Sequence, residues 1–337
     1  MALVEIQDLY KSYGPVRALQ NLNLEISEGS LFGLLGPNGS GKTTTLKILS
    51  TLLAPDSGRV LIDGIDVLAN SKDVRQKIGY VAQEVAIDKI LSGRELLQLH
   101  GDLYHLPRSN RDSRIEDLIQ QLEMNEWIDR RSGSYSGGMK RRLDLAAGLM
   151  HQPKLLILDE PTVGLDIESR STIWSLLREL STNGTTVLLS SHYLEEVDAL
   201  ADQMAIIDSG ELIAKGSPKE LKEKLGGQRV TLKVREFSDL AEAEKIRSLV
   251  VQIAGVSQVV INRAQGFSLN FVVDDQQVLQ ALRSKLIEAG AELFALSESR
   301  PSLDDVYLQA TGRTIMDTEL EIAGKRDLKN EAKQSMR

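Results

Sequence analysis

The eight residues Gly36-Pro37-Asn38-Gly39-Ser40-Gly41-Lys42-Thr43 constrain this chain more than any other stretch. They fit the pattern G-x-x-x-x-G-K-[ST], and they stand between an apolar run at 31–36, predicted as a strand, and a helical pattern at 42–52. A strand that turns through glycines into a helix gathers backbone N–H groups around one point, and the helix adds its positive end there. Such a loop holds a polyphosphate. Gly36, Gly39 and Gly41 let the backbone close in, while Pro37, Asn38, Ser40 and Thr44 complete the phosphate-binding stretch. Lys42 is expected to reach the β- and γ-phosphates and the Thr43 hydroxyl to hold Mg²⁺.

This unit predicts its surroundings. Up to about residue 225, short aliphatic runs at 31–36, 59–62, 78–82, 154–158, 185–190 and 203–208 alternate with helical patterns at 42–52, 93–105, 113–122, 137–150, 167–182 and 193–201. Strand followed by crossover helix is the mark of an α/β fold with a parallel core sheet. Leu155, Leu156, Ile157 and Leu158 form an unbroken apolar run, which predicts a strand buried on both faces and near the centre of that sheet. The opening stretch, with Leu3, Val4 and Ile6 and then Leu22, Leu24 and Ile26, predicts antiparallel strands around a turn at Tyr13-Gly14-Pro15.

A helix at 218–225 runs into Gly226-Gly227, a helix stop and linker. Beyond it the pattern restarts: strand 230–234, helix 240–251, strands 258–261 and 268–273, helix 277–289, strand 293–296. This βαββαβ order predicts a small α+β, ferredoxin-like domain, which contains no recognisable chemical motif. The expected organisation is therefore 1–225, 228–312, and a charged tail at 313–337 that is either disordered or wraps a partner.

The acidic half of a phosphate site follows the strand at 154–158. Asp159 leaves the core where its carboxylate can hold Mg²⁺ directly or through water, and Glu160 is the candidate to polarise an attacking water. Composition narrows the partners. The chain of 337 residues has 40 basic and 48 acidic side chains, a formal charge of −8 that argues against nucleic acid. No apolar run approaches the roughly 18–20 residues that cross a bilayer. With no cysteine and no basic-then-apolar leader pattern at the N-terminus, a cytoplasmic location is expected.

Three further segments stand in a fixed order: Tyr135-Ser136-Gly137-Gly138-Met139-Lys140-Arg141-Arg142-Leu143, then Glu160-Pro161-Thr162-Val163-Gly164-Leu165-Asp166, then Ser190-Ser191-His192. Ser136 precedes Asp159 by 23 residues and His192 follows it by 33. With the phosphate loop, this set resembles the nucleotide-binding subunit of ATP-binding cassette (ABC) transporters over roughly residues 2–225. The resemblance implies the P-loop ABC cassette fold, with an antiparallel N-terminal β part and a helical subdomain carrying the signature. It implies an ATPase, and it assigns roles: Tyr13 stacks on adenine, and Gln83 is the Q-loop residue touching Mg²⁺ and the membrane partner. Ser136, Gly137 and Gly138 are the signature that caps the γ-phosphate of ATP held by the opposite subunit. Asp166 is the D-loop aspartate, and Glu160 and His192 are catalytic.

Where most signatures read Leu-Ser-Gly-Gly-Gln, this one has Tyr135 and Met139, a version similar to that of daunorubicin-resistance exporter ATPases. The stretches Ala86-Ile87-Asp88, Leu91-Ser92-Gly93-Arg94-Glu95 and Pro301-Ser302-Leu303-Asp304-Asp305-Val306-Tyr307 resemble the same subgroup. The implied assembly is a dimer of ATP-binding subunits, a homodimer in the simplest case. It lies at the cytoplasmic face of the membrane and drives a separate multi-span permease that exports a hydrophobic or amphipathic compound. The alternative is an ABC ATPase uncoupled from transport, of the DNA-repair or translation-factor type. Against it stand the single cassette, the absence of sustained heptads and the lack of cysteine.

Overall fold

The computed structural model describes residues 1–85, 87–226, 228–233, 239–262, 267–290 and 294–320. The chain divides into two compact units, Met1–Lys215 and Gly216–Arg337.

In the first unit, β1 (Ala2–Tyr13) and β2 (Val16–Ser27) form the antiparallel pair expected from their alternating pattern. Then come β3 (Leu31–Leu35), α1 (Lys42–Leu49), β4 (Ser57–Ile62), β5 (Ile65–Asp66), α2 (Ser71–Lys77) and β6 (Ile78–Val81). They are followed by α3 (Gly93–Leu103), α4 (Arg108–Gln121), α5 (Gly137–Leu149), β7 (Leu155–Asp159), α6 (Ile167–Thr182), β8 (Thr186–Ser191), α7 (Leu194–Leu200), β9 (Gln203–Asp208) and β10 (Glu211–Gly216). One sheet runs β2-β1-β4-β5 and a second runs β10-β9-β3-β8-β7-β6. The pairs β3 with β8, β3 with β9, β7 with β8 and β6 with β7 are all parallel.

Two expectations need correction. The run at 59–62 belongs to β4, which pairs antiparallel with β1 and so lies in the first sheet rather than the parallel one. β7 is one strand in from the margin, between β8 and β6, and not central. It is nonetheless buried at every position, because α1 and the antiparallel sheet cover one face of the parallel sheet and helices α5, α6 and α7 pack on its strands. Each of its four aliphatic side chains contributes about 1.5–3 kcal/mol through burial. That anchorage fixes where Asp159 emerges.

One core joins the inner face of the antiparallel sheet to one face of the parallel sheet. Leu22, Leu24 and Ile26 meet Leu46 and Leu49 of α1, Phe32 and Leu34 of β3, and Leu155 and Ile157 of β7. Helices α5, α6 and α7 pack on β6, β8 and β3.

The second unit contains α8 (Pro218–Glu223), β11 (Gln228–Lys233), α9 (Leu240–Val250), β12 (Val256–Asn262), β13 (Ser268–Val273), α10 (Gln276–Glu288), β14 (Ala295–Ser299) and α11 (Leu303–Thr311). The sheet order is β12-β13-β11-β14 with every neighbouring pair antiparallel. Inserting the third strand between the first and second is the ferredoxin-like arrangement that βαββαβ predicted. Val230, Leu232, Leu269, Phe271 and Val273 of the sheet pack against Ile246, Val250, Leu279, Leu282 and Leu286 of α9 and α10.

The division between units falls ahead of α8, which packs on α11. Of the expected charged tail, residues 315–320 are helical, with Ile315 and Thr318 buried and Thr318 Oγ1 3.2 Å from the Tyr307 hydroxyl. Residues 321–337 lie outside the described residues, as do Ala86, Gly227 of the linker, and Val234 and Leu293 at the ends of two expected strands.

Candidate active site

β3 delivers the chain into the loop at 36–41 and α1 leaves it. A Cβ on Gly36 would lie 2.2 Å from the Ile207 carbonyl oxygen and 2.6 Å from Ser40 Oγ, so only glycine fits there. Gly41 has φ +113°, and a Cβ on it would lie 2.6 Å from the Ala18 carbonyl oxygen. This glycine stands at the N-cap of α1 and gives the helix no side-chain cap. The first-turn N–H groups of Lys42, Thr43 and Thr44 therefore depend on something other than a capping side chain, as at helix termini that bind anions. The Ser40 hydroxyl is buried and, among the described residues, has no hydrogen-bond partner. An orphaned hydroxyl beside uncapped amides fits a phosphate oxygen. Pro37 is buried, while Asn38 and Gly39 form the exposed tip.

Lys42 curls back over this loop. Its Nζ donates to the carbonyl oxygens of Gly36, at 2.7 Å, and Pro37, at 3.1 Å, and lies 3.7 Å from Glu160 Oε1. Thr43 Oγ1 donates to Asp159 Oδ1 at 3.2 Å, and the Ser190 hydroxyl donates to the same oxygen at 2.6 Å. Ser190 also receives the Glu160 N–H, at 3.1 Å on its hydroxyl and 3.2 Å on its carbonyl. Glu160 itself takes a left-handed backbone conformation, φ +48°, uncommon for a residue with a side chain and a mark of functional sites. The turn aims its carboxylate at three groups: His192 Nδ1 lies 3.1 Å from Oε1, Gln83 Nε2 donates to Oε2 at 2.9 Å, and Lys42 is close by. Burial pushes this carboxyl up, but the His192 hydrogen bond and the Lys42 charge outweigh it and hold the group below the usual carboxylate range. It is therefore ionised at neutral pH, the form able to accept a proton.

The geometry thus brings together Lys42, Thr43, Asp159, Glu160, Gln83 and His192. The other expected residues serve elsewhere on the cassette. Tyr13 is 48% exposed, with Lys11 Nζ 5.9 Å from its ring centre. Ser136 caps α5, its hydroxyl accepting from Met139 N at 3.3 Å. Gly137 faces open space, whereas a Cβ on Gly138 would meet Ser169 Oγ at 2.5 Å. Asp166 caps α6 through Ser169, at 2.8 Å from its N–H and 3.0 Å from its hydroxyl.

Two further residues hold the site together from within motifs that assign them no role. Ser190 is one, standing in the Ser190-Ser191-His192 segment. Arg141 is the other. Buried on α5, it donates to the carbonyl oxygens of Ala82 at 2.6 Å, Pro161 at 2.8 Å and Asp159 at 3.2 Å. Its spacing with Leu145 and Leu149 places it on the buried stripe of α5, where an arginine needs a reason.

A glycine loop with uncapped helix amides, a buried lysine, a strand-end aspartate and an ionised glutamate held by histidine define a nucleoside-triphosphate-hydrolysing cassette. The ABC transporter family profile matches residues 19–163, and the profile described as ATP-binding protein DrrA1-3-like, C-terminal domain, matches residues 216–311. The daunorubicin resistance ATP-binding protein DrrA3 of Streptomyces coeruleorubidus is 40% identical over 92% of this chain and 96% of its own. The Nod factor export ATP-binding protein I of Rhizobium etli is 33% identical over 93% and 94%. A dimeric post-hydrolysis ATP-binding cassette with ADP and Pi superposes with TM-score 0.58 at 27% identity, covering 64% of this chain and 98% of that one. The chain belongs to the ABC transporter family, as an ATP-binding subunit that hydrolyses ATP. Among the described residues, no helix is long and apolar enough to cross a membrane.

Proposed function

We propose that this chain is the motor subunit of an exporter, in which two copies at the cytoplasmic face of the membrane close around ATP and drive a separate multi-span permease that carries the cargo. The observation that carries the catalytic part is the Glu160 carboxylate, held ionised among His192, Gln83 and Lys42. Glu160 accepts the proton of the attacking water as the water oxygen bonds to the γ-phosphorus and the bond to ADP breaks. His192 orients that carboxylate, and Lys42 turns from its loop carbonyls toward the phosphates.

Thr43 and Asp159, with Gln83, are the oxygen donors suited to Mg²⁺, whose charge offsets that of the phosphates. Among the described residues, no group of three or more His, Cys, Asp or Glu side chains is placed to hold a metal; a Mg²⁺ held by Thr43 and Asp159 would take its remaining oxygen ligands from the nucleotide or from water. Tyr13, exposed and flat, stacks on the adenine. Ser136, Gly137 and Gly138 cap the γ-phosphate of ATP held by the opposite copy; the open space at Gly137 supports this, since a Cβ there would meet nothing within 4 Å among the described residues. Asp166 links the copies. Relatives named for daunorubicin resistance and for Nod factor export support outward transport of a hydrophobic or amphipathic compound.

The test is Glu160→Gln. ATP binding should persist, steady-state hydrolysis should vanish, and ATP should trap a dimer visible by size-exclusion chromatography. Hydrolysis at the wild-type rate would remove Glu160 from the catalytic role.

A further inference from the structure

Glu196, in α7, is 1% exposed and takes no part in the site described above. Burying a carboxylate is expensive unless hydrogen bonds replace its water. Here three segments of the cassette supply them. Thr162 Oγ1 donates to Oε1 at 2.7 Å, Trp174 Nε1 of α6 donates to the same oxygen at 3.1 Å, and Ser191 Oγ donates to Oε2 at 2.7 Å. The indole N–H can only donate, so an acceptor is required at that spot.

The placement of these donors is informative. Ser191 immediately precedes His192, and Thr162 stands two residues after Glu160. Both hydroxyls are themselves buried. One carboxylate therefore bridges the ends of β7 and β8, from which the two interacting side chains, Glu160 and His192, project toward each other at 3.1 Å. Satisfying two hydroxyls and an indole N–H is a poor reason to bury a charge, since a neutral amide acceptor would serve them. Fixing the separation of two loops is a better one, because small displacements of reacting groups cost large factors in rate.

We infer that Glu196 is a positioning residue that sets the register of Glu160 against His192 by tying Thr162 to Ser191. The inference rests on the catalytic reading of Glu160 and His192 proposed above. It predicts that breaking the tie lowers turnover without weakening nucleotide binding, and that it acts through His192.

The experiment is a cycle of Ser191→Ala and His192→Ala in the full chain, read as kcat and KM for ATP. Ser191→Ala should lower kcat by about tenfold with KM within about twofold, and should add less than about twofold once His192 is alanine. Glu196→Ala should lower kcat further still, with Glu196→Gln, which keeps an acceptor for Trp174, recovering most of the loss. In a Trp127→Phe background, where Trp174 is the only indole, Glu196→Ala should shift the emission and Glu196→Gln should restore it. An equal loss from Ser191→Ala in both backgrounds, or parallel changes in kcat and KM, would overturn the inference. Should Glu196→Ala fail to fold, the Ser191 and His192 cycle decides alone. Wild-type hydrolysis by Glu160→Gln would instead bring down the catalytic reading beneath it.

Discussion

The Lys42 ammonium and the Glu160 carboxylate lie 3.7 Å apart with side chains 4% and 5% exposed. Removing one member of a buried pair strands the other charge, at about 3–5 kcal/mol, whereas removing both is far less harmful. Lys42→Met should therefore destabilise the cassette by about 3 kcal/mol in urea denaturation, and Lys42→Met with Glu160→Gln by markedly less. Equal losses in the single and double variants would show that the two groups do not interact in the folded state.

The same carboxylate sets a pH dependence. Its folded pKa lies below the ordinary 4.5, so its contribution to stability is present above that value and is lost as pH falls through the folded value. The acid limb of turnover should follow the same group. His192→Ala removes the largest lowering contact, so the acid limb of kcat/KM should move to higher pH. A limb that stays put in that variant would sink the coupling.

Gly137 is the first residue of α5, and a Cβ added to it meets nothing within 4 Å among the described residues. Gly137→Ala should leave Tm unchanged or slightly raised, since alanine suits a helix better by up to about 1 kcal/mol. If the position serves the other copy's nucleotide, as proposed, Gly137→Ala should also leave ATP affinity unchanged while lowering ATPase activity about tenfold or more. A loss of folding stability would instead place its role inside the chain.

Asp144, four residues from Lys140 on α5, carries a carboxyl that burial pushes up to about 6 from 3.8, with Arg141 pulling weakly the other way. A raised acid pKa means the folded state binds the proton more tightly, so stability rises as pH falls through 6 and the ionised group is a liability above it. Asp144→Asn should be more stable than the wild type at pH 8 by about 2 kcal/mol, and that advantage should shrink toward pH 5. A pH-independent difference would refute the assignment.

In the second unit, Arg229 Nη1 lies 2.8 Å from Asp305 Oδ2 and 3.1 Å from Ser302 Oγ, joining β11 to the first turn of α11. Arg229→Met should destabilise that unit by about 3 kcal/mol, seen as faster hydrogen exchange in β11 and α11 while the cassette amides are unchanged. Unaltered exchange in α11 would mean the helix is held by its apolar contacts alone.

Much of this was legible because the chemistry is local. The phosphate loop, Asp159 and Glu160 each sit within a few residues of a strand end, where pattern and motif coincide. Less was legible where neighbours decide. The all-apolar run of β7 reports that both its faces are covered and says nothing of how many strands lie to either side. α2 was missed since it buries only Val74, and β10 since its residues are half-buried and lack alternation. α11 went unread as a helix, although Ser302 and Asp305 form a capping box ahead of it. Arg141, Ser190 and Glu196 act through partners distant in sequence, a relation that spacing does not encode.

Arg141 has one more consequence. A guanidinium is a rigid plane, and this one is hydrogen-bonded to the chain just before Gln83, to the backbone of Asp159 and to the turn after Glu160, all from the helix that Ser136 begins. That helix cannot swing without dragging both the glutamine and the carboxylate's backbone along. Under the proposed function, a permease gripping the cassette at Gln83 would pull, through one side chain, on the start of α5 and the Glu160 turn together, as a crankpin ties two rods to one throw.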